Sequence, residues 1–150
     1  MKTTKISIQL TDGEGIAEIS PYPIDMSQFL HLLDGDFDAA GVPYQLNPAG
    51  YHPTTIVQYA LAHWNQYCMT GDEHHRNVFL KQSKWMLEHE VQIGDAGGWP
   101  IPFPHPVIHT HGSWLSASTQ GWGISLLVRA YQITHEKAFL DNAHRAARTF

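Results

Sequence analysis

The residues best suited to chemistry lie in a stretch without formal charge. Residues 96–128 contain no Asp, Glu, Lys or Arg, but they contain several Trp, His, Ser, Thr and Gln residues. Within and beyond this stretch, residues 112–134 place apolar residues on nearly every side of a helix and add Ser116 and Gln120. A helix that is apolar all round is a buried helix. We therefore expect a central helix whose N-terminal end lines a polar pocket.

Three histidines in the same stretch raise the question of a metal site. Alternating residues of a strand point the same way, so His105, His109 and His111 could share one face, and zinc needs three or four such ligands. No cysteine or carboxylate lies near them, and Cys68 is the only cysteine of the chain. We therefore predict no metal site, and packing or surface roles for His63 and His144.

Length and charge narrow the class of protein. The 150 residues suit one domain, and 14 acidic against 9 basic residues give a net charge of −5. Seven of the acids precede residue 39, and the remainder is balanced, so there is no basic stripe for nucleic acid. No segment is apolar over the length of a membrane span or resembles a signal peptide. The single cysteine fits a reducing compartment, and we expect a cytoplasmic protein.

The elements follow from turn residues and hydrophobic spacing. Residues 5–10 and 16–20 predict a small β-hairpin, residues 26–33 a short helix, and residues 41–52 an irregular segment. Four helices follow: residues 54–69, a second from the N-cap Asp72 towards Gly94, residues 112–134, and a fourth from residue 136.

The order of these helices indicates stacked helical hairpins. The first and third are apolar all round, whereas the second and fourth have one apolar stripe each. The joint Tyr67–Asp72 also resembles the joint Tyr131–Glu136. We predict a mainly α fold in which residues 1–40 lead into a domain of residues 41–150. Phe150 is followed by no helix stop signal, so we expect a fragment of a longer protein, or one that needs a partner.

Three segments together resemble the C-terminal domain of the D-glucuronyl C5-epimerases that act on heparosan and heparan precursors. They are Gly41-Val-Pro with Asn47-Pro-Ala-Gly-Tyr-His-Pro and Gln58-Tyr-Ala-Leu-Ala-His, then Gly97-Gly-Trp-Pro, then Gly112-Ser-Trp-Leu-Ser-Ala with Gln120-Gly and Leu127-Val-Arg-Ala-Tyr. The resemblance covers roughly residues 41–150, and the order and spacing of the segments make it specific.

The resemblance implies a fold and a reaction. The fold is an (α/α) toroid, of which this chain would form a part, in the compact arrangement of bacterial members. The reaction converts D-glucuronate to L-iduronate at C5 within a heparosan-like polysaccharide, without a cofactor. The partner is then an acidic polysaccharide containing glucuronate. The resemblance does not decide between a monomer and a homo-oligomer. The tyrosines and the glutamate proposed as catalytic in the family lie in a portion that would follow Phe150, so this chain offers no catalytic residue.

Substrate-binding residues are predicted where helix starts meet. Inner helices of a toroid run parallel, so the residues before the first and third helices should gather at one mouth, where free N–H groups suit a carboxylate. Ordinary capping and loop packing are the alternative for this mouth, and a core amide is the alternative for the glutamine. Arg129 is expected to pair with an acid between helices. The predicted contacts are Tyr51, His52, Trp99, Trp114, Ser116 and Gln120.

Two other classes of function remain open. One is another toroid enzyme, either a polysaccharide lyase or a glycoside hydrolase, although a hydrolase needs two carboxylates and residues 41–53 and 97–121 contain none. The other is a non-catalytic glycan-binding module.

Overall fold

Four helices dominate the fold. The computed structural model describes residues 7–9, 16–31, 37–105 and 107–150. Its helices are α1 (Pro53–Thr70), α2 (Glu73–Glu88), α3 (Ala117–Thr134) and α4 (Lys137–Ala147). α1 packs against α2, α3 packs against α4, and α1 also contacts α3. The prediction of a mainly α fold is therefore confirmed, and its helices form two hairpins.

Short strands precede α1 and lie between α2 and α3. In the part of the chain that the structure describes, the strands are β1 (Ser7–Gln9), β2 (Ile16–Glu18), β3 (Gln45–Leu46), β4 (Ala49–Gly50), β5 (Val91–Ile93) and β6 (Ala96–Gly98). They pair in chain order as antiparallel hairpins. The first is the predicted N-terminal hairpin, with Ser7 opposite Glu18. Its predicted turn and residues 5, 6 and 10 of its first strand lie outside the described residues, and its second strand ends at Glu18, two residues earlier than predicted.

Two of these hairpins fall where a loop was predicted. β3 and β4 lie within the supposedly irregular residues 41–52, and β5 and β6 occupy the glycine-rich segment after α2. Ile93 pairs with Ala96, so Gly94 and Asp95 form the turn, and Gly94 has a φ of 64°. Two-residue hairpin turns need this backbone conformation, which glycine adopts at no steric cost. The predicted short helix at 26–33 is a 3-10 helix, Ser27–Leu30.

The connections within the two helical hairpins, between α1 and α2 and between α3 and α4, have the same hydrogen bonds. At the end of α1, the N–H of Gly71 donates to the carbonyl of Tyr67 at 2.8 Å, and the N–H of His135 donates to that of Tyr131 at 2.8 Å at the end of α3. In both joints a threonine hydroxyl, of Thr70 or Thr134, accepts from the N–H two residues later at 3.2 Å. The repeated joint predicted from the sequence is confirmed in its hydrogen bonds.

The core is centred on α1. Eleven of its 18 residues are buried, as expected for a helix that is apolar all round. By contrast, α3 buries six of its 18 residues, so the prediction that it is buried on every side is wrong. Its other apolar side chains are only partly buried because no described element covers them: Trp122, Ile124, Val128, Tyr131 and Ile133.

Residues 19–26 attach the N-terminal segment to α1. The indole N–H of Trp64 donates to the carbonyl of Ser20 at 2.9 Å, and the amide of Asn65 bonds Tyr22 N–H at 2.6 Å and the carbonyl of Ile24 at 3.1 Å. Ile19 and Met26 belong to the same core as α1. No helix of the described part is long and apolar enough to cross a bilayer.

Arg129 was expected to pair with an acid, and the described residues give it other partners. Its guanidinium donates to the backbone carbonyl of Ser125 at 3.1 Å and to the hydroxyl of the same residue. The guanidinium carbon also lies 5.1 Å from the centre of the Tyr22 ring. Burial lowers the pKa of this arginine below its ordinary value.

Candidate functional site

The starts of α1 and α3 lie side by side. The hydroxyls of Thr54 and Thr119, in the first turns of the two helices, are 2.6 Å apart and share a hydrogen bond. His52 is the N-cap of α1 and Ser116 is the N-cap of α3. The hydroxyl of Ser116 accepts from the N–H of Thr119 at 3.4 Å. The first turn of a helix leaves backbone N–H groups without intrahelical partners, so two such turns meet here.

The segment between β6 and α3 folds over these helix starts. Ile101 and Trp114 exchange backbone hydrogen bonds of 2.8 and 3.1 Å, and the indole N–H of Trp114 donates to the carbonyl of Phe103 at 2.9 Å. The Phe103 ring stacks on the His52 ring with centroids 5.7 Å apart. This brings three of the predicted residues together in what we call the helix-start cluster: His52, Thr54, Phe103, Trp114, Ser116 and Thr119.

The helix-start cluster offers a ligand uncharged hydrogen-bond donors. Burial lowers the pKa of His52, so its imidazole is uncharged at neutral pH. Its Nδ1 atom is buried and has no hydrogen-bond partner among the described residues, and the same is true of His105 Nδ1. A carboxylate held here would meet helix N–H groups and neutral side chains rather than a lysine or an arginine.

Tyr51 lies apart from the cluster although it precedes His52 in the chain. Its hydroxyl donates to Asp38 Oδ2 at 2.8 Å, and its ring packs between Tyr44 and Trp85, with centroids 5.0 and 5.2 Å away. The hydrogen bond to Asp38, with burial, raises the pKa of Tyr51. It lines a separate pocket beside α2.

Trp99 and Gln120 lie in the interior. Trp99 is 1% exposed, and its indole N–H donates to the carbonyl of Met86 at 2.7 Å. Gln120 is 2% exposed; its Oε1 accepts from the N–H of Trp99 at 2.9 Å, and its Nε2 donates to Gly97 O and Thr149 Oγ1 at 3.2 and 2.9 Å. These contacts fit the alternative interpretations, an internal amide and a packed tryptophan.

Sequence reasoning missed three members of the cluster. Thr54 and Thr119 are hydroxyl residues in the first turn of a helix, and that position could have singled them out. Phe103 carried no such signal, because its place depends on how the loop folds over α1. In the described ranges no three His, Cys, Asp or Glu side chains come close enough to hold a metal ion.

Similarity to known proteins covers the second half of the chain most firmly. Residues 93–150 match the family described as D-glucuronyl C5-epimerase C-terminus. The D-glucuronyl C5-epimerase of Caenorhabditis elegans is 29% identical over 82 residues, which are 52% of this chain and 13% of that relative. The chain thus spans a small part of the length of this relative. No solved structure matches the chain.

The matched segment contains β6, the loop that folds over α1, and the helices α3 and α4. It includes the Gly97-Gly-Trp-Pro segment and the start of α3, on which the resemblance was based. The sequence comparison and the residues that carry the resemblance therefore agree: residues 93–150 are similar to the C-terminal portion of the D-glucuronyl C5-epimerases.

Proposed function

We propose that this chain forms part of an isomerase that epimerises D-glucuronate to L-iduronate at C5 within a heparosan-like polysaccharide. The family supports an epimerase in general, and the single structural observation that supports a site here is the joining of the α1 and α3 starts through Thr54 and Thr119. In this proposal the two hairpins are a portion of an (α/α) toroid, and the helix-start cluster faces its cleft.

The proposed reaction requires little of this cluster beyond charge stabilisation. A base removes the C5 proton, the electrons of the broken C–H bond delocalise into the neighbouring carboxylate, and an acid returns a proton to the opposite face. The carboxylate gains negative charge in the intermediate, and preorganised donors stabilise it most when they are aimed at that charge. The free first-turn N–H groups, the Thr54 hydroxyl and the His52 imidazole would supply those donors, and the fully buried Thr119 would hold the Thr54 hydroxyl in place.

Three of the tyrosines, Tyr51, Tyr59 and Tyr67, fit the role of proton acceptor poorly. Hydrogen bonding to Asp38 raises the pKa of Tyr51, and burial raises the pKa of Tyr59 and of Tyr67. A tyrosine that acts as a base near neutral pH needs its pKa lowered by a nearby positive charge. We therefore assign the cluster to carboxylate binding, and leave the acid and base to other residues of the protein.

Exchange of the C5 hydrogen with solvent tests the proposal. Incubating the protein with a glucuronate-containing polysaccharide in heavy water should place deuterium at C5, detected by NMR or mass spectrometry. His52→Ala should slow this exchange by about tenfold or more, the effect of losing one positioned donor. The His52 side chain makes no capping hydrogen bond to α1, so the variant should lose only the stacking on Phe103 and remain folded at the assay temperature.

His144→Ala is the matched control, because His144 is exposed on α4 away from the cluster. A folded protein that exchanges no C5 hydrogen with any of a panel of glucuronate polymers would overturn the epimerase assignment. Release of an unsaturated uronate would then identify a lyase, and binding without chemistry would identify a glycan-binding module. Exchange at the normal rate in His52→Ala would keep the activity but remove the helix-start cluster from the site.

A further inference from the structure

A second concave surface lies beside α2, and the helix-start cluster does not use it. The cavity has a volume of about 390 Å³ and lies between the turn at residues 38–42 and the outer side of α2. We call it the α2 pocket. The side chains that matter for its chemistry are Asp38, Tyr51, Lys81, Lys84, Trp85 and His89.

One wall of the α2 pocket is held in place by internal hydrogen bonds. Asp38 Oδ1 accepts from the N–H groups of Ala40 and Val42 at 2.9 and 2.8 Å, while its Oδ2 accepts from the Tyr51 hydroxyl at 2.8 Å. The hydrogen bond from the Val42 N–H holds the pKa of Asp38 below its usual value. Both oxygens of this carboxylate are engaged within the protein, so the charged groups open to a ligand are Lys81, Lys84 and Glu88, which also lines the pocket.

The positive charges of Lys81 and Lys84 are little compensated by carboxylates of the described residues. No carboxylate among the described residues lies within ion-pair distance of the Lys81 ammonium, which sits beside the Gly41 backbone, 3.1 Å from where a Cβ would stand. Lys84 Nζ lies 3.8 Å from Glu88 Oε1, and both side chains are largely exposed. Such a surface pair contributes little. An acidic chain thus presents two available cations at one cavity.

An aromatic wall stands beside these cations. The Trp85 and His89 rings are stacked at 4.1 Å with an angle of 8°, and the Tyr51 ring is tilted against Trp85 at 5.2 Å. Aromatic side chains offer apolar area with a polar edge, and ammonium groups form strong charge-assisted hydrogen bonds to carboxylates. A ligand with both a ring that can lie against apolar surface and a carboxylate matches this combination.

We propose that the α2 pocket binds a glucuronate residue of the polysaccharide other than the one held at the helix-start cluster. The choice of this ligand rests on the proposed function. Tyr51 lines the pocket while the next residue, His52, belongs to the cluster, and consecutive Cα atoms are only about 3.8 Å apart. One polymer can therefore contact both surfaces, and the α2 pocket lengthens the binding site for polymers over short oligosaccharides.

Calorimetric titration of the whole chain with glucuronate-containing oligosaccharides tests the pocket. Lys81→Gln should weaken binding of a decasaccharide by about tenfold, the effect of losing one charge-assisted hydrogen bond. Tyr51→Phe should weaken it less, because the ring remains. The matched control is Lys137→Gln, an exposed lysine at the start of α4, which should leave binding unchanged. Lys81 and Lys137 are exposed, so both lysine variants should melt with the unsubstituted protein.

Ligand specificity decides between a uronate site and a general anion site. An otherwise identical oligosaccharide with glucose in place of glucuronate should bind Lys81→Gln and the unsubstituted protein equally. Inorganic phosphate should not compete. Competition by millimolar phosphate that depends on Lys81 would overturn the uronate assignment, and so would decasaccharide binding that Lys81→Gln leaves unchanged.

The exchange assay separates failure of this pocket from failure of the proposed function. With an active epimerase, Lys81→Gln should raise KM for the polymer about tenfold and leave kcat unchanged, because the pocket touches no reacting atom. Unchanged KM would overturn the pocket while the epimerase stands. Lys81-dependent binding without C5 exchange in any variant would keep the pocket and overturn the epimerase.

Discussion

His63 shows how one buried residue can make stability depend on pH. It lies on α1, is 5% exposed, and its Nδ1 is 2.8 Å from Nδ1 of His75 on α2. Its ring also packs edge-on against Tyr59 at 4.5 Å and lies 6.0 Å from His74. Burial first, and then the neighbouring His75 and His74, lower the pKa of His63 to about 4. The folded protein therefore keeps this imidazole neutral.

The free energy of unfolding should consequently fall as the pH is lowered from about 6.5 towards 4. Below pH 6.5 the unfolded chain binds a proton at His63 that the folded chain does not, so protonation favours unfolding. The loss should reach on the order of 2–3 kcal/mol. Urea denaturation across this range measures it. His63→Gln should flatten the dependence, and His144→Gln on α4 should not; equal slopes in all three proteins would contradict the role of His63.

Single residues also mark the limit of sequence reasoning about the site. The sequence indicated which residues stand near helix starts, and His52, Trp114 and Ser116 do lie together. It could not tell which way a side chain turns. Gln120 turns inward to bond the backbone of Trp99 and Gly97, and Tyr51 turns to Asp38. Both orientations depend on partners that are distant in sequence. The residue types and their spacing do not show which distant partners a side chain will meet.

At the scale of the elements, α3 packs closely against the Trp99 ring because residue 123 of this helix is a glycine. A Cβ on Gly123 would stand 2.8 Å from Cε3 and 2.9 Å from Cη2 of Trp99, and closer still to Cζ3. The indole cannot retreat easily, because its N–H is bonded to the carbonyl of Met86. Gly121, two residues earlier on the same helix, has nothing within 4 Å of its Cβ position.

These two glycines should respond in opposite directions to the same substitution. Gly123→Ala should destabilise the protein by about 2 kcal/mol, because the added methyl overpacks the core. Gly121→Ala should stabilise it by up to about 1 kcal/mol, because alanine is the better helix former and no clash opposes it. Thermal and chemical denaturation of both variants measures the difference. Stabilisation by both substitutions would show that Trp99 is free to move.

Prediction was most accurate where an element is defined by its own sequence. The limits of α1, the N-cap Asp72 and the stop at Gly71 follow from local preferences, and the structure has them. The predicted end of α2 near Gly94 is wrong: the helix ends at Glu88, and β5 begins at Val91. The β5–β6 hairpin was missed because its glycines were interpreted as loop residues. The exposure of one side of α3 was missed too, because an apolar pattern shows which residues can be buried but not whether a neighbour is there to bury them.

The whole molecule is organised around α1. It contacts α2, α3 and the 3-10 helix, and it carries the hydrogen bonds that attach residues 20–24. In contrast, residues 107–113 contain no regular element, and Val107 is 79% exposed. Local stability follows burial and hydrogen bonding, so it should be highest in α1 and lowest in this loop.

Amide hydrogen exchange should show that order directly. Amides in the middle of α1 should exchange roughly a hundredfold or more slowly than those of residues 107–113, with the middle of α3 between them. Mass spectrometry after timed exposure to heavy water at neutral pH measures this. Protection of α3 equal to that of α1 would mean that a second copy of the chain, or another partner, covers the exposed side of α3 in solution.

The two ends of each helical hairpin differ in how strongly hydrogen bonds fix the backbone. One end of each hairpin is constrained by the same backbone hydrogen bond, a threonine at the same place and a left-handed residue, which is Gly71 in one joint and His135 in the other. The opposite ends, at residues 37–52 and 89–116, carry the strands β3 to β6 and part of both surfaces to which we assign binding. Grafting foreign loops at these opposite ends should therefore change what the protein recognises while the helices keep their pairing.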